Sequence, residues 1–254
     1  MEYTQGYVCF IDVLGFSSYV KEDTNIEKTY GLFDFIIKFC YLFNDTKNLE
    51  TQVSFYSDSI VITTSKLDWL IPTIYIAESY LKKYLGLLFR GGICYGKYYH
   101  ENGITFGPGV VKAYELEKKA IYSRIVIDKD IQFEEDNFYY YVDIDGVACL
   151  NPYSMILLEN LYFGEEVTYP EGDVNKIILD RFEFYRKEIL SGIEKYKGTP
   201  VVEKYLWRIR PFNYTCNYIA NMSYDEYIYE PIQYKNNDAL KKELLNLVIN
   251  NIGI

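Results

Sequence analysis

The hydrophobic pattern at the start of the chain predicts a strand, a helix and a hairpin. Residues 7–14 form a short, almost continuous apolar run, which is typical of a strand buried on both faces. The segment 17–43 then carries apolar residues at helical spacing. Residues 52–64 predict two short strands joined by a tight polar turn at 57–59.

The next elements complete a mixed α+β pattern. Residues 68–84 predict a helix with Asp68 as N-cap and Pro72 in the first turn. Glycines around Pro108 precede a helix expected over 109–119. Further strands are expected after residue 86, at 124–128 and within 137–150. This order predicts a ferredoxin-like sheet, mixed or antiparallel, with the helices on one face.

The pattern changes after residue 150, where long helical segments replace the short strands. Helices are expected over 173–197 and 199–222, the second starting with Thr199 as cap and Pro200 at the first helical position. We therefore expect a first domain over 1–150 and a helical C-terminal extension over 151–254 that packs on it.

Composition and charge narrow the function classes. The net charge of −10 disfavours general binding of nucleic acid, which needs a basic face, but leaves room for a local site for one anionic small molecule. Five scattered cysteines, with no paired spacing and a single histidine in the chain, indicate reduced thiols and no structural zinc. No signal peptide or membrane-length apolar run is visible, so we expect a cytoplasmic protein without membrane insertion.

Two aspartates carry the candidate chemistry. Asp12 lies within the apolar first strand and Asp58 in the hairpin turn, and the predicted topology lets both meet at one edge of the sheet. Two close carboxylates repel unless a cation lies between them, and Mg²⁺ or Mn²⁺ prefers such ligands together with phosphate oxygens. The loop Val13-Leu14-Gly15-Phe16 leads into a helix N-terminus suited to phosphates. Helix capping and turn formation are the alternative roles for each aspartate taken alone.

Four motifs in order resemble the catalytic domain of class III nucleotidyl cyclases over roughly residues 6–130. They are "FIDVLGFSSYV", "VSFYSDSIVI", "RGGICYG" and "FGPGVVKAYELEKKA". The third and fourth, with the residues between and after them, resemble more narrowly the bacterial pyrimidine cyclases of the Pycsar anti-phage systems. The resemblance implies two Mg²⁺ or Mn²⁺ ions held by Asp12, Asp58 and the backbone carbonyl of Val13. It also implies a homodimer with composite active sites that converts UTP, favoured over CTP, into a cyclic mononucleotide and pyrophosphate.

The chain departs from the family pattern at two positions that matter for catalysis. Class III enzymes usually carry an Asn and an Arg where this chain has Val111 and Glu115, and neither can bind a phosphate. Either the chain is inactive, or another cation has taken over. The candidates are Arg90 and Arg124, because an arginine fork matches phosphate geometry, with Lys97 and Lys112 as weaker ones.

The positions that select the base in purine cyclases also differ. Ser54 replaces a Lys or Glu, Ile104 replaces its polar partner, and Tyr56 would narrow the pocket. This set favours a smaller pyrimidine base, although Ser54 and Tyr56 also fit a purely structural role on the sheet. His100 has no nucleophile nearby in sequence, and we expect it in a solvated loop.

Two other function classes compete with a cyclase. A catalytically inactive module for nucleotide binding or dimerisation would explain Val111 and Glu115. A palm-type polymerase or dinucleotide cyclase would share the carboxylate pair, but it needs a basic channel or a GGDEF-like hairpin, and the sequence has neither.

Overall fold

The structure is a computed structural model in which the chain divides into two compact units, Met1–Pro152 and Tyr153–Ile254. The assignment of these units to a catalytic domain and an extension packed on it remains a prediction. The structure describes residues 2–21, 26–27, 29–31, 33–34, 37, 51–82, 86–132, 138–154, 174–221 and 238–250. Most of the helix expected over 17–43 therefore lies outside the described residues.

The first unit contains strands and short helices, and the second contains helices, among the residues described. The strands are β1 (Thr4–Leu14), β2 (Thr51–Tyr56), β3 (Ser59–Thr64), β4 (Leu88–Glu101), β5 (Ile104–Phe106), β6 (Ile125–Ile127), β7 (Tyr140–Val142) and β8 (Ala148–Leu150). The helices are α1 (Phe16–Val20), α2 (Leu67–Tyr80), α3 (Pro108–Lys119), α4 (Val174–Lys195), α5 (Val202–Asn221) and α6 (Asp238–Leu247).

The strands form one sheet with the order β2-β3-β1-β4-β6-β8-β7, and β5 pairs with β4. Strand β1 is antiparallel to both of its neighbours, β3 and β4, while β4 and β6 are parallel. The central order β2-β3-β1-β4, with a helical segment after β1 and α2 after β3, is the ferredoxin-like arrangement. The predicted fold class, a mixed α+β sheet of this type, is therefore confirmed.

Helices α2 and α3 of the first unit cover opposite faces of the sheet, whereas helices on one face were expected. On one face, Cys9 and Ile11 of β1 pack with Leu70 of α2. On the other face, Val8 packs with Ala113 of α3. Because β1 is apolar at consecutive positions, both of its faces need a covering layer, and the single helical face expected from the sequence is replaced by two.

Helices α2 and α3 both start earlier than the sequence predicts. Helix α2 begins at Leu67, so Asp68 lies inside its first turn and is not the N-cap. Pro72 is the sixth helical residue and lies beyond the first turn, where it removes one backbone hydrogen bond from the helix. Helix α3 begins at Pro108, directly after Gly107 and one residue before the predicted start, because proline is favoured at the first helical position.

Helix α5 begins at Val202, three residues after the predicted cap. The Thr199 hydroxyl donates a hydrogen bond to the carbonyl oxygen of Tyr196 at 2.8 Å, so it closes the turn after α4 and does not cap α5. Aromatic side chains pack the second unit, with Tyr153 against Tyr185 and Phe212. None of the helices that the structure describes has the length and apolar character required to cross a bilayer.

Candidate active site

The backbone segments that carry Asp12 and Asp58 lie side by side at one end of the sheet. Asp12 is the register partner of Ser59, the first residue of β3. The backbone N–H of Val13 donates a hydrogen bond to the carbonyl oxygen of Asp58 at 2.8 Å. The end of β1 and the β2–β3 turn are thus joined directly, and both aspartates are half-buried.

Arg90 lies beside Asp12 on the neighbouring strand. The two are register partners in the β1–β4 ladder, and Arg90 Nε lies 3.2 Å from Asp12 Oδ2. The same Nε lies 2.7 Å from Oε1 of Glu117, a buried residue of α3 whose carboxyl pKa is raised by burial. A half-buried carboxylate needs a counter-charge or hydrogen-bond donors, and Arg90 is one such partner of Asp12.

Helix α3 approaches the sheet closely because β4 carries glycines beside Arg90. A Cβ placed on Gly92 would lie 2.4 Å from Cβ of Leu116 and 2.5 Å from the carbonyl oxygen of Ala113. Such distances are far inside van der Waals contact, so only glycine fits this position. The close approach allows Glu117 to reach Arg90.

The donor set at Asp12 and Asp58 suits a hard divalent cation. Carboxylate oxygens, with a backbone carbonyl such as that of Val13, are the ligands that Mg²⁺ and Mn²⁺ prefer. Within the described parts of the chain, no three His, Cys, Asp or Glu side chains cluster closely enough to hold a metal by themselves. A metal at this end of the sheet would therefore also need backbone and substrate oxygens, as magnesium sites for phosphate substrates usually do.

The predicted phosphate loop follows β1 directly. Gly15 has a φ of +86° and precedes α1, and the N–H groups of Ser18 and Tyr19 donate to its carbonyl oxygen. The Phe16 side chain is buried in the core and packs against Phe33, with the ring centroids 6.1 Å apart. Only the backbone of Phe16 can therefore contact a phosphate.

Arg124 lies in a different environment from Arg90, and the structure does not support it as a catalytic candidate. Its side chain is 2% exposed, and it donates hydrogen bonds to Asp143 at 2.8 Å and Asp145 at 2.6 Å. This guanidinium is held in a buried ion-pair cluster before strand β6 and is not presented to a ligand. Lys112 is likewise paired, with Asp128 and Asp130.

His100 is buried, and the expectation of a solvated loop is wrong. It belongs to β4 and is 5% exposed. Its Nε2 lies 2.7 Å from Ser54 Oγ, and its Nδ1 lies 2.7 Å from Thr63 Oγ1. Ser54 Oγ also lies 2.9 Å from Thr105 Oγ1, so four polar side chains form one connected network.

The structure places Thr105, not Ile104, beside Ser54. Ile104 is 58% exposed and Tyr56 is 85% exposed, so neither contributes to the hydroxyl network. Sequence reasoning missed Thr105 although a signal was present. Asn102 and Gly103 have φ values of +53° and +78°, the left-handed turn that an Asn-Gly pair favours between two strands.

Val111 and Glu115, where class III cyclases usually carry Asn and Arg, both lie exposed on α3. They are four residues apart on one helix and therefore share a face. Neither contributes a phosphate-binding group within the same chain. Exposed apolar side chains of β5 and α3 surround this region: Ile104, Phe106, Val111 and Tyr114.

No protein-family model matches the chain, and no curated protein sequence matches it. Among solved structures, the chain is similar to the catalytic core of a rhodopsin-guanylyl cyclase with converted specificity, in complex with ATPαS. The TM-score is 0.43 and the sequence identity 15%, over 59% of this chain and 96% of that one. A similarity of this size does not define the family of the chain.

Proposed function

We propose that the chain is a metal-dependent nucleotidyl cyclase that converts a nucleoside triphosphate into a 3′,5′-cyclic mononucleotide and pyrophosphate. The observation that carries this proposal is the meeting of Asp12 and Asp58 at one end of the sheet, joined by the hydrogen bond from Val13 to Asp58. The four sequence motifs also support the proposal. They fall on β1, the β2–β3 hairpin, β4 and α3, which are the elements that form this end of the sheet.

Each residue of the site has a defined role in the proposal. The carboxylates of Asp12 and Asp58, with the carbonyl oxygen of Val13, would hold two Mg²⁺ or Mn²⁺ ions. When bound, such ions supply Lewis acidity at the attacking 3′-oxygen and charge stabilisation on the phosphates. The backbone of the loop from Leu14 to Phe16 binds the terminal phosphates.

The reaction balances without a redox partner. The ribose 3′-oxygen attacks the α-phosphorus, the bond from the α-phosphorus to the bridging oxygen breaks, and pyrophosphate leaves. The proton of the 3′-hydroxyl passes to solvent. Arg90 provides the positive charge at the phosphates that Glu115 cannot provide. Its guanidinium lies beside the Asp12 carboxylate, and its side chain is one-third exposed, so a ligand can reach it.

The substrate proposed is a pyrimidine triphosphate, with UTP favoured over CTP. Ser54 lies on the sheet face that carries Asp12, and the hydroxyls of Ser54 and Thr105 offer small polar groups where purine cyclases carry larger ones. The resemblance to Pycsar cyclases adds a role in anti-phage defence, with the cyclic product as a second messenger. We also propose a cytoplasmic location, which the scattered, unpaired cysteines favour.

We propose a homodimer with composite active sites. The exposed apolar side chains around Ile104 and Val111 give a surface that a second copy of the chain would cover. A composite site would also allow the second copy to supply polar groups that Val111 and Glu115 lack.

The test is an incubation of the purified chain with each of the four nucleoside triphosphates and Mn²⁺, with products identified by mass spectrometry. A cyclic mononucleotide from UTP or CTP supports the proposal. Linear or dinucleotide products would instead indicate a palm-type polymerase or dinucleotide cyclase. Nucleotide binding without turnover would favour the inactive module that Val111 and Glu115 suggest.

A further inference from the structure

The hydroxyl network around His100 is a built polar cluster, and two of its members, His100 and Thr63, have no role in the function proposed above. His100 is the single histidine of the chain, and its two ring nitrogens each lie 2.7 Å from a hydroxyl oxygen. Burial lowers the pKa of its imidazole to about 4, so the ring is neutral at pH 7. A neutral imidazole has one donor and one acceptor nitrogen, and here both are engaged.

The ring therefore controls the hydrogen-bonding direction of Ser54. In one tautomer Nε2 accepts a hydrogen bond, so the Ser54 hydroxyl donates to His100 and the Ser54 oxygen accepts from other groups. Where Nε2–H donates, the Ser54 proton is available to Thr105, 2.9 Å away, or to a ligand. In both cases the tautomer of His100 determines whether the Ser54–Thr105 pair offers a ligand a hydrogen-bond donor or an acceptor.

The hydroxyl pair lies on the sheet face that carries Asp12. Ser54 of β2 is the register partner of Val61 of β3. Val61 is in turn the register partner of Phe10 of β1, which lies two residues before Asp12. Side chains alternate along strands, so Ser54 and Asp12 share one face. Ser54 lies two residues, about 7 Å, before the end of β2, where the Asp58 turn begins. Ser54 and Thr105 are both half-buried, so a ligand can reach them.

We propose that Thr105 contacts the base together with Ser54, and that His100 acts as a positioning residue that sets the specificity of this pair for a pyrimidine edge. This inference rests on the proposed function, because it assigns the base site of the same reaction. Hydroxyl pairs of fixed direction discriminate strongly against a base that leaves them unpaired, since an unsatisfied buried hydroxyl is costly. The four side chains of the network, His100, Ser54, Thr63 and Thr105, are all uncharged at pH 7.

Matched substitutions at His100 test the positioning role. His100→Gln can place a polar atom near the Nε2 position and keep a contact to Ser54, whereas His100→Asn places one near Nδ1 and keeps only the contact to Thr63. The measured quantity is kcat/KM for the preferred pyrimidine triphosphate divided by kcat/KM for ATP. We expect this ratio to fall about tenfold or more in His100→Asn and Thr105→Val, and to be largely retained in His100→Gln.

The control variant is Thr51→Val. Thr51 donates a buried hydrogen bond to Thr64 at 3.1 Å in the same hairpin, so its loss perturbs the sheet in a similar way. A general loss of stability lowers kcat/KM for all nucleotides together and leaves the ratio unchanged. We therefore expect an unchanged ratio in Thr51→Val.

A spectroscopic measurement separates the base site from catalysis. In tag-free protein labelled with ¹⁵N-histidine, the single imidazole gives one pair of nitrogen signals that report its tautomer. We expect a non-hydrolysable UTP analogue with Mg²⁺ to shift these signals, and inorganic tripolyphosphate with Mg²⁺, which lacks a base, to leave them unchanged.

The outcomes distinguish this inference from the proposed function. Cyclisation by the wild type with unchanged ratios in Thr105→Val and His100→Asn overturns the inference alone. A UTP-dependent shift without turnover of any nucleotide supports the base site and overturns the cyclase. No turnover and no shift overturns both.

Discussion

Arg90 Nε lies 3.2 Å from Asp12 Oδ2, across the β1–β4 ladder in which the two residues are register partners. The pair places a cation and a carboxylate at the end of the sheet where the Asp58 turn also lies. A carboxylate within an apolar strand is costly unless it has a partner, and Arg90 is a charged partner for Asp12. It also defines which arginine is close enough to act on a ligand there.

The first prediction concerns Arg90. Arg90→Gln removes the positive charge beside Asp12, and we expect cyclase kcat to fall by about 10² to 10³, the usual effect of losing one transition-state donor. Because the change also leaves buried Glu117 without this partner, the double variant Arg90→Gln/Glu117→Gln is the control. It should recover stability in a denaturation measurement but not activity. Recovery of activity in the double variant would contradict the role of Arg90.

The second prediction distinguishes Arg124 from Arg90. Arg124→Gln leaves Asp143 and Asp145 without their buried partner, so we expect a loss of about 3 kcal/mol in the free energy of unfolding. Substrate KM should change little in the fraction that remains folded. A large rise in KM with unchanged stability would show that Arg124 binds substrate after all.

The third prediction concerns the close contact between β4 and α3. Gly92→Ala places a Cβ against Leu116 and the backbone of α3, so we expect destabilisation by about 1–3 kcal/mol, measured by denaturant unfolding. The matched change is Gly146→Asn, since Gly146 has a φ of +76° that Asn tolerates and no atom within 4 Å of an added Cβ. Equal effects of the two substitutions would argue against tight packing at Gly92.

The fourth prediction is a pH dependence of stability. Burial lowers the pKa of His100 from 6.5 to about 4, so the unfolded chain takes up a proton near pH 6.5 and the folded chain only near pH 4. The contribution of neutral His100 to the free energy of unfolding is thus complete above pH 6.5. It is lost as the pH falls towards 4, and the loss is at most about 3 kcal/mol. Denaturant unfolding of wild type and His100→Gln at pH 7 and pH 5 measures it. The same change in stability between these two pH values in both proteins would contradict burial of a neutral imidazole.

The meeting of Asp12 and Asp58 was predictable because it depends on local signals. An apolar strand, a tight polar turn and the order of elements are enough to place both residues at one end of the sheet. Arg90 was predictable only as one of several cations. Its contact with Asp12 follows from the β1–β4 register, which pairs residues 78 positions apart.

The burial of His100 and Arg124 was not predictable from neighbouring residues. His100 is bonded to residues 46 and 37 positions away, and Arg124 to residues 19 and 21 positions away, so their partners depend on tertiary structure. The two helical faces were missed although β1 carried a signal for them, because a strand that is apolar at consecutive positions requires cover on both sides.

The central claim is that Asp12 and Asp58 act together on a metal-bound nucleoside triphosphate. The most direct measurement is the rate of cyclic product formation from UTP or CTP with Mn²⁺ in Asp12→Asn and Asp58→Asn, beside Asp68→Asn. Asp68 is an exposed residue in the first turn of α2, so its substitution removes the same charge away from the site. We predict loss of activity in the first two variants and wild-type rates in Asp68→Asn. Wild-type rates in Asp12→Asn or Asp58→Asn, with all variants folded, would contradict the account.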